Sequence, residues 1–536
     1  MVLKDYKEDL YYFLIHIILF FILYSSNLIM LGINDDLALF WLLSLGYSST
    51  LILSYPVSSI LSVSYTYLPS VQWLSLFYFV LLFSNIALSY FYLIKNEKER
   101  FLKNTLILIS VIFFTFVWQN INITMLTLIT YASALLALKY NLKLSFFLLF
   151  ITLLLRNDIA ILCLPFFIVS LFILYRNILM SKRNLFFLTA TIIIPIFLNN
   201  YLIKKDTAYY EWLKFNSARA FFTDLKADTK NSTFTNEEKS IAQSWYPQDE
   251  YLLSSEKMIQ NEYSKIGLYI EQIQQYDIKK LFKHNFNFLF ILLFFSGLFF
   301  VYSKSRKIDL LLYLSFSLGF LLVLILRDVS RVTVPLIFLW FILVFLLINK
   351  TISNENKLKT NVIRKNIFTF LFLILLLLSL PISYNTPKMI LSDKIEKISF
   401  LENHKFKCEP SVNFPQRWDG GSGLLNYNLL FNEKDWINSN QLLSAGWLSR
   451  HPFFYKTHNI SAHGQERKYN SFYDWLISEE SCFIGGGIIE NNFSKMVLDM
   501  YDLKLKDKSC KHKVKIIDSY KDLKVTKIYI NCKEEK

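Results

Sequence analysis

Seven ionisable side chains fall in three short polar segments, each set between long apolar runs. Asn34, Asp35 and Asp36 open the stretch GINDDLALFWLLSLGY; Arg156, Asn157 and Asp158 interrupt LLLRNDIAILCLP; Arg327, Asp328 and Arg331 interrupt LILRDVSRVTVPL. Ionisable groups beside hydrocarbon are costly and face a cavity or a partner. Three arginines with four aspartates suit transfer from a lipid-linked phosphate. The planar guanidinium fork grips phosphate oxygens in pairs and steadies a departing phosphate. A carboxylate accepts the proton of an attacking hydroxyl, or holds a divalent cation. The plainer reading is that Asp35 and Asp36 cap a helix at the membrane surface while the arginines reach for lipid headgroups.

The elements that must position these groups follow from composition. Of 536 residues, 54% are hydrophobic, 18% charged and 17% aromatic, with only 13 glycines. Soluble domains run near 25% charged, so most of this chain belongs in lipid. Disorder, collagen-like fibre and small disulfide scaffolds are excluded by the same composition. Apolar runs near the ~20 residues a bilayer needs occur at 10–31, 72–94, 105–118, 121–138, 144–155, 159–175, 184–203, 285–302, 308–326, 332–349 and 366–386. Residues 105–138 and 144–175 each read as a hairpin, because a single span would put successive basic loops on opposite sides. Short basic loops stay in the cytoplasm. Residues 1–9 and the loops 95–104, 139–143, 176–183, 303–307 and 350–365 carry 19 Lys/Arg against 6 Asp/Glu, which is +13 of the chain's +15. The basic charge is therefore a topology signature, not a nucleic-acid footprint. The expected fold is an α-helical polytopic membrane protein of about eleven spans in the plasma (inner) membrane, N-terminus cytoplasmic. Residues 1–386 form the membrane domain, with outer loops 32–71 and 204–284. Residues 387–536 form a small mixed α/β domain outside the cytoplasm.

Cys408, Cys482, Cys510 and Cys532 all lie in that outer domain, and four cysteines on an oxidising side imply two disulfides among three pairings. Cys163 lies within a span and reads as an apolar filler. His451, His458 and His463 fall within thirteen residues without a helical i, i+4 pair or HExxH, and read as solvated loop histidines rather than a metal site. Leu37 to Leu45, with Trp41, reads as an amphipathic stretch lying at the interface and walling the site.

An N-in first helix, an acidic pair opening the first outer loop, and many spans before an outer soluble domain resemble the GT-C superfamily of integral-membrane glycosyltransferases. Asn34-Asp35-Asp36, then Pro56, then Pro69 with Trp73, resemble the first-loop pattern of bacterial multi-span proteins of this type. FNSARAFFTD (215–224) and WYPQDEYLL (245–253) resemble further segments of those proteins. The resemblance covers about residues 1–350. It implies a polyprenyl-phosphate sugar donor and an envelope glycan, lipid or protein acceptor. It also implies Asp35 or Asp36 as catalytic acid or as ligand of Mg or Mn, and places Arg219, Asp224 and Asp249 near the site. The superfamily's pair is often Asp-Glu, so which carboxylate is the base stays open. Two other readings stand beside it: an O-antigen-type polymerase or ligase, and a transporter or flippase of lipid-linked sugars. Transporters carry inverted repeats and Gly/Pro-broken helices, whereas here the charges sit at span ends and glycine is rare.

Overall fold

The computed structural model describes residues 2–262 with short gaps, 314, 335–342, 366–374, 409–413, 441–443, 450–461, 466–485 and 498–532 with short gaps. The chain is mostly helical, with a sheet near the C-terminus. Its helices are α1 (Val2–Ser25), α2 (Asp35–Ser44), α3 (Tyr55–Tyr67), α4 (Trp73–Ser89), α5 (Arg100–Gln119), α6 (Ile123–Leu138), α7 (Leu142–Leu155), α8 (Asn157–Leu179), α9 (Lys182–Lys205), α10 (Thr207–Thr223), α11 (Asn236–Ala242), α12 (Ser255–Gln260), α13 (Pro452–Thr457) and α14 (Phe472–Leu476). Among the described residues four helical stretches are long and apolar enough to cross a membrane: Glu8–Ser25, Trp73–Ile94, Arg100–Gln119 and Lys182–Lys205. Helices α6 and α7 are apolar but shorter. The sixteen residues of α6 rise about 24 Å, a little under the ~30 Å core. The first span begins and ends earlier than its apolar run. Ser25 and Ser26 turn back on the Ile22 carbonyl and close the helix there.

Side-chain contacts fix the helix directions. At one end of the bundle Asp9 accepts from the Tyr90 phenol and, at 2.6 Å, from Lys95, while Lys103 pairs with Glu8. Toward the other end Trp118 sits among Phe20, Phe79 and Phe83. So α1 and α5 run together and α4 runs against them. Between α4 and α6, Asn85 donates to Thr130 at 3.1 Å and accepts from Ser133 at 2.6 Å, and one step along Tyr92 stacks on Tyr140. Helix α6 therefore runs with α4, so the chain reverses at 120–122. Ser145 bonds the Ala134 carbonyl and Arg156 reaches Thr124, which sets α7 against α6. Tyr131 bonds the Cys163 carbonyl and Phe146 meets Phe167, which turns α8 back again at Arg156. Both apolar double runs are hairpins. The basic loops after α4, α6 and α8 fall at the N-terminal end of the bundle, and the turns at 120–122 and Arg156 fall at the opposite end. Helical residues 335–342 pack on α5 through Phe338, stacked on Phe113 at 3.9 Å, and on 369–374 through Phe341 and Phe372.

At the end opposite the N-terminus, α2 packs one face on its neighbours. Leu39, Phe40, Leu42 and Leu43 are all buried, and Phe40 meets Tyr65 of α3. Its ten residues are apolar apart from Asp35, Asp36 and Ser44. Gly46 ends it at φ 86°, letting Gly46 and Tyr47 bond back to Leu43 and Leu42. That left-handed turn is the one place among the described residues where a glycine is conformationally required.

The C-terminal sheet has the order β2-β1-β3-β5-β4, formed by β1 (Glu409–Asn413), β2 (Gln441–Leu443), β3 (Ser481–Gly485), β4 (Cys510–Tyr520) and β5 (Leu523–Cys532). The pairs β1–β2 and β1–β3 are parallel, while β3–β5 and β4–β5 are antiparallel. The β-like alternation of the tail is thus a hairpin. Outer strand β4 carries exposed Lys511, Lys513 and Lys515 at alternate positions and a register shift between Ile516 and Asp518. His512, whose ring lies between the Asp502 carboxylate and the Tyr473 hydroxyl at 2.6 and 2.8 Å, ties the hairpin to α14. A disulfide joins Cys510 to Cys532 across directly paired strand ends. Cys482 is in β3, and Cys408 lies outside the described residues. Peptide mass mapping of protein isolated without reductant is expected to recover Cys510 and Cys532 in one linked species. Two free thiols there would contradict the fold of the tail.

Candidate functional site

The end of the bundle opposite the N-terminus gathers four parts of the chain around residues 48–55. Ser54 donates its amide to the Leu155 carbonyl at 3.1 Å, and its hydroxyl to Leu154. The loop between α2 and α3 therefore sits directly on the α7–α8 turn. The Tyr55 amide bonds Asn199 of α9 at 2.8 Å. Tyr209 of α10 donates to the Thr50 carbonyl at 2.6 Å. His451, at the head of α13, bonds the Ser49 carbonyl at 2.8 Å. Each bond satisfies a backbone polar group of an irregular segment that is largely buried, which is what keeps a non-helical loop tolerable there.

Of the residues singled out from sequence, Arg156 is the best defined. It ends α7 in extended backbone, and its guanidinium faces Asp158 on the first turn of α8. Nε and Nη2 bond the carboxylate at 2.9 and 3.0 Å, and Nη1 bonds Thr124 at 2.5 Å. The arginine side chain is 12% exposed and the aspartate 62%. The fork is therefore occupied by its own neighbour, but by a carboxylate held largely in water, and such pairs contribute about 0–1 kcal/mol. A phosphate dianion can take that place. Asp35 and Asp36 form the start of α2, where an acidic first turn suits the helix dipole. Arg219 is buried in α10, with Nε on Asn216 at 2.9 Å and Nη1 on Thr223 at 2.8 Å, partners one turn away on the same helix face. Asn34, Asp224, Asp249, Arg327, Asp328 and Arg331 lie outside the described residues.

The structure adds residues that the sequence reading missed. Asp206 stands between α9 and α10, accepting the Tyr209 amide at 3.0 Å and the Tyr55 phenol at 3.2 Å. Burial, then the Asp206 charge and hydrogen bond, push the Tyr55 phenol up to about 12. Burial, with Tyr55 and Asp206 adding, raises Tyr209 as well. The sequence signal for Asp206 is an acid directly after Lys204-Lys205 at a span end, outside the short turns. Arg450 is 3% exposed as a side chain and adopts φ 56°. It binds Glu250, Ser255 Oγ at 2.7 Å and the Leu253 carbonyl at 2.6 Å, and stacks over Phe215 at 4.5 Å. Nothing local in the sequence marks it.

The histidines depart from expectation. His451 and His458 are buried, not solvated. His451 accepts the Phe453 amide on Nδ1 at 3.2 Å, so Nε2 carries the hydrogen that goes to Ser49, and Trp212 meets its ring edge-on at 4.7 Å. His458 is enclosed by Phe454 and Trp475, and burial pushes it down to about 4 against a smaller opposing hydrogen bond to the Phe454 carbonyl. Their role is packing and capping, set by aromatic neighbours both nearby (Phe453, Phe454, Trp475) and distant (Tyr47, Trp212) in sequence. His463 lies outside the described residues. Among the described residues no three His, Cys, Asp or Glu side chains are arranged to hold a metal ion. The expectation of Mg or Mn rests on Asp35 and Asp36 alone. No family model, curated protein or solved structure matches this chain.

Proposed function

We propose that the protein is a plasma-membrane glycosyltransferase of GT-C type, with about eleven spans, an N-terminus in the cytoplasm and residues 387–536 outside it. It moves a sugar from a polyprenyl-phosphate carrier to an envelope glycan, lipid or protein. The observation that supports the reading most is the packing of the α2–α3 loop, whose leading helix begins with Asp35 and Asp36, on the α7–α8 turn that carries Arg156. An acid pair and a phosphate-gripping arginine thereby belong to one end of the bundle, away from the basic loops.

In that reading the acceptor hydroxyl attacks the sugar's anomeric carbon from the face opposite the carrier, with inversion. The new bond joins acceptor oxygen to that carbon as the carbon–phosphate oxygen bond breaks. Asp35 or Asp36 takes the hydroxyl proton. Arg156, with Arg327 and Arg331, receives the charge left on the carrier phosphate, displacing Asp158. The purified protein supplied with polyprenyl-phosphate sugars and envelope acceptors tests the activity directly. Elongation of a lipid-linked repeat unit instead favours the polymerase reading, and carrier translocation without transfer favours the flippase.

Topology has its own test. Reporter fusions after residue 536 are expected to read outside and fusions within 350–365 inside. A C-terminus reading inside would put Arg450 and His451 on the wrong side of the bundle end that they contact.

A further inference from the structure

Arg450 and His451 reach across the chain: apart from the His451 bonds to Phe453 and Phe454 at the head of α13, the contacts described above go to the first 260 residues. Arg450 takes α10 by Phe215, the segment before α12 by Glu250 and Leu253, and the first residue of α12, Ser255. His451 takes the α2–α3 loop by Ser49, with Tyr47 and Trp212 against its ring. Arg450 does this in the left-handed region, at a cost of order 1–3 kcal/mol that persists only where surrounding contacts over-determine the backbone. Strain held at a junction between segments two and four hundred residues apart points to a positioning device rather than a surface loop.

We propose that His451 is a positioning residue for sugar transfer: through Ser49 it fixes the α2–α3 loop, and so the acid pair at the head of α2, against the Arg156 turn. The proposal rests on the glycosyltransferase reading. The imidazole does two separable jobs. Nδ1 accepts the Phe453 amide and caps α13; Nε2–H holds the Ser49 carbonyl. A glutamine amide nitrogen reaches about where Nε2 lies, whereas an asparagine oxygen reaches only the Nδ1 position. The loop's other anchors, Tyr209 on Thr50 and Ser54 on Leu155, remain in either variant, so the fold is retained.

The experiment compares full-length wild type, His451→Gln and His451→Asn in detergent or nanodiscs. It reads amide exchange at 48–54 and the kcat and KM for a polyprenyl-phosphate sugar. His451→Asn is expected to speed exchange at 48–54 and to lower kcat about 10²-fold, since a misplacement near 1 Å costs that much. Donor KM should hold, and His451→Gln should restore both exchange and kcat to within a few fold. Equal exchange and equal kcat in the two variants would overturn the proposal, as would loss of kcat in both together with equal losses in thermal stability, the mark of a cap alone. Exchange needs no substrate. A wild-type protein that transfers no sugar therefore sinks the glycosyltransferase reading while the Ser49 clamp is still decided by the Gln/Asn contrast in exchange.

Discussion

Asp35→Asn/Asp36→Asn is expected to lose sugar transfer by roughly 10²–10⁴-fold while the protein still inserts and folds, because losing a positioned base removes about that much rate. Amide for carboxylate is nearly isosteric and keeps an N-terminal helix former, so α2 retains its first turn. The single variants identify the base. Whichever of Asp35→Asn and Asp36→Asn reproduces the full loss names the proton acceptor, and the other separates orientation from chemistry. Arg156→Lys should cost a comparable factor, since an ammonium cannot span two phosphate oxygens. Asp158→Asn is the opposing control. It removes the negative charge and one of the two acceptors that now hold the Arg156 fork, so donor KM should fall or stay level. The measurement is a lipid-linked donor assay on protein matched for thermal stability. Full transfer by the double aspartate variant would reduce the acid pair to a helix cap and move the polymerase and flippase readings ahead.

Acidification is expected to loosen the C-terminal region through His458. Its imidazole is held at about 4 in the fold, chiefly by burial among Phe454, Trp475 and the residues around them. An unfolded histidine titrates near 6.5. The folded value is depressed, so the unfolded chain binds the proton first. The stabilisation is whole above about pH 6.5, falls as pH drops toward 4, and levels off below that. The full swing is about 3 kcal/mol, enough to change the open fraction more than a hundredfold. Hydrogen exchange of 452–476 from pH 7.5 to 4.5 should show protection falling by about a decade per pH unit below 6. The His458→Leu variant should flatten that slope. A wild-type slope unchanged in His458→Leu would mean the ring is not the titrating group.

How much of this was legible in sequence divides along the range of the interactions. The hairpin turns at 120–122 and at Arg156 were readable because charge in short loops restricts orientation, and that rule acts over a few residues. The strand character of β4 and β5 was readable from alternation within one stretch, whereas their pairing was not. The packing of α2 on α3 was not readable, because the Phe40–Tyr65 contact joins residues twenty-five apart. His451 and His458 were misjudged because their burial depends on Ser49, Trp212, Phe454 and Trp475 arriving together. Arg450 could not have been singled out at all: a left-handed buried arginine has the same local sequence as any loop arginine. Only the assembled partners distinguish it.

Among the described residues β4 is the outer strand of its sheet, the position from which a sheet can recruit a further strand. Lysines at 511, 513 and 515 put three positive charges along that rim, and the register shift at Ile516/Asp518 bends it. Two such rims meeting edge to edge would align cation against cation and lose the straight register that continuous pairing needs. A protein crowded beside copies of itself in one membrane thus carries its own deterrent against polymerising through its tail. Exchanging the three lysines for threonine should leave the monomer folded and make it aggregate.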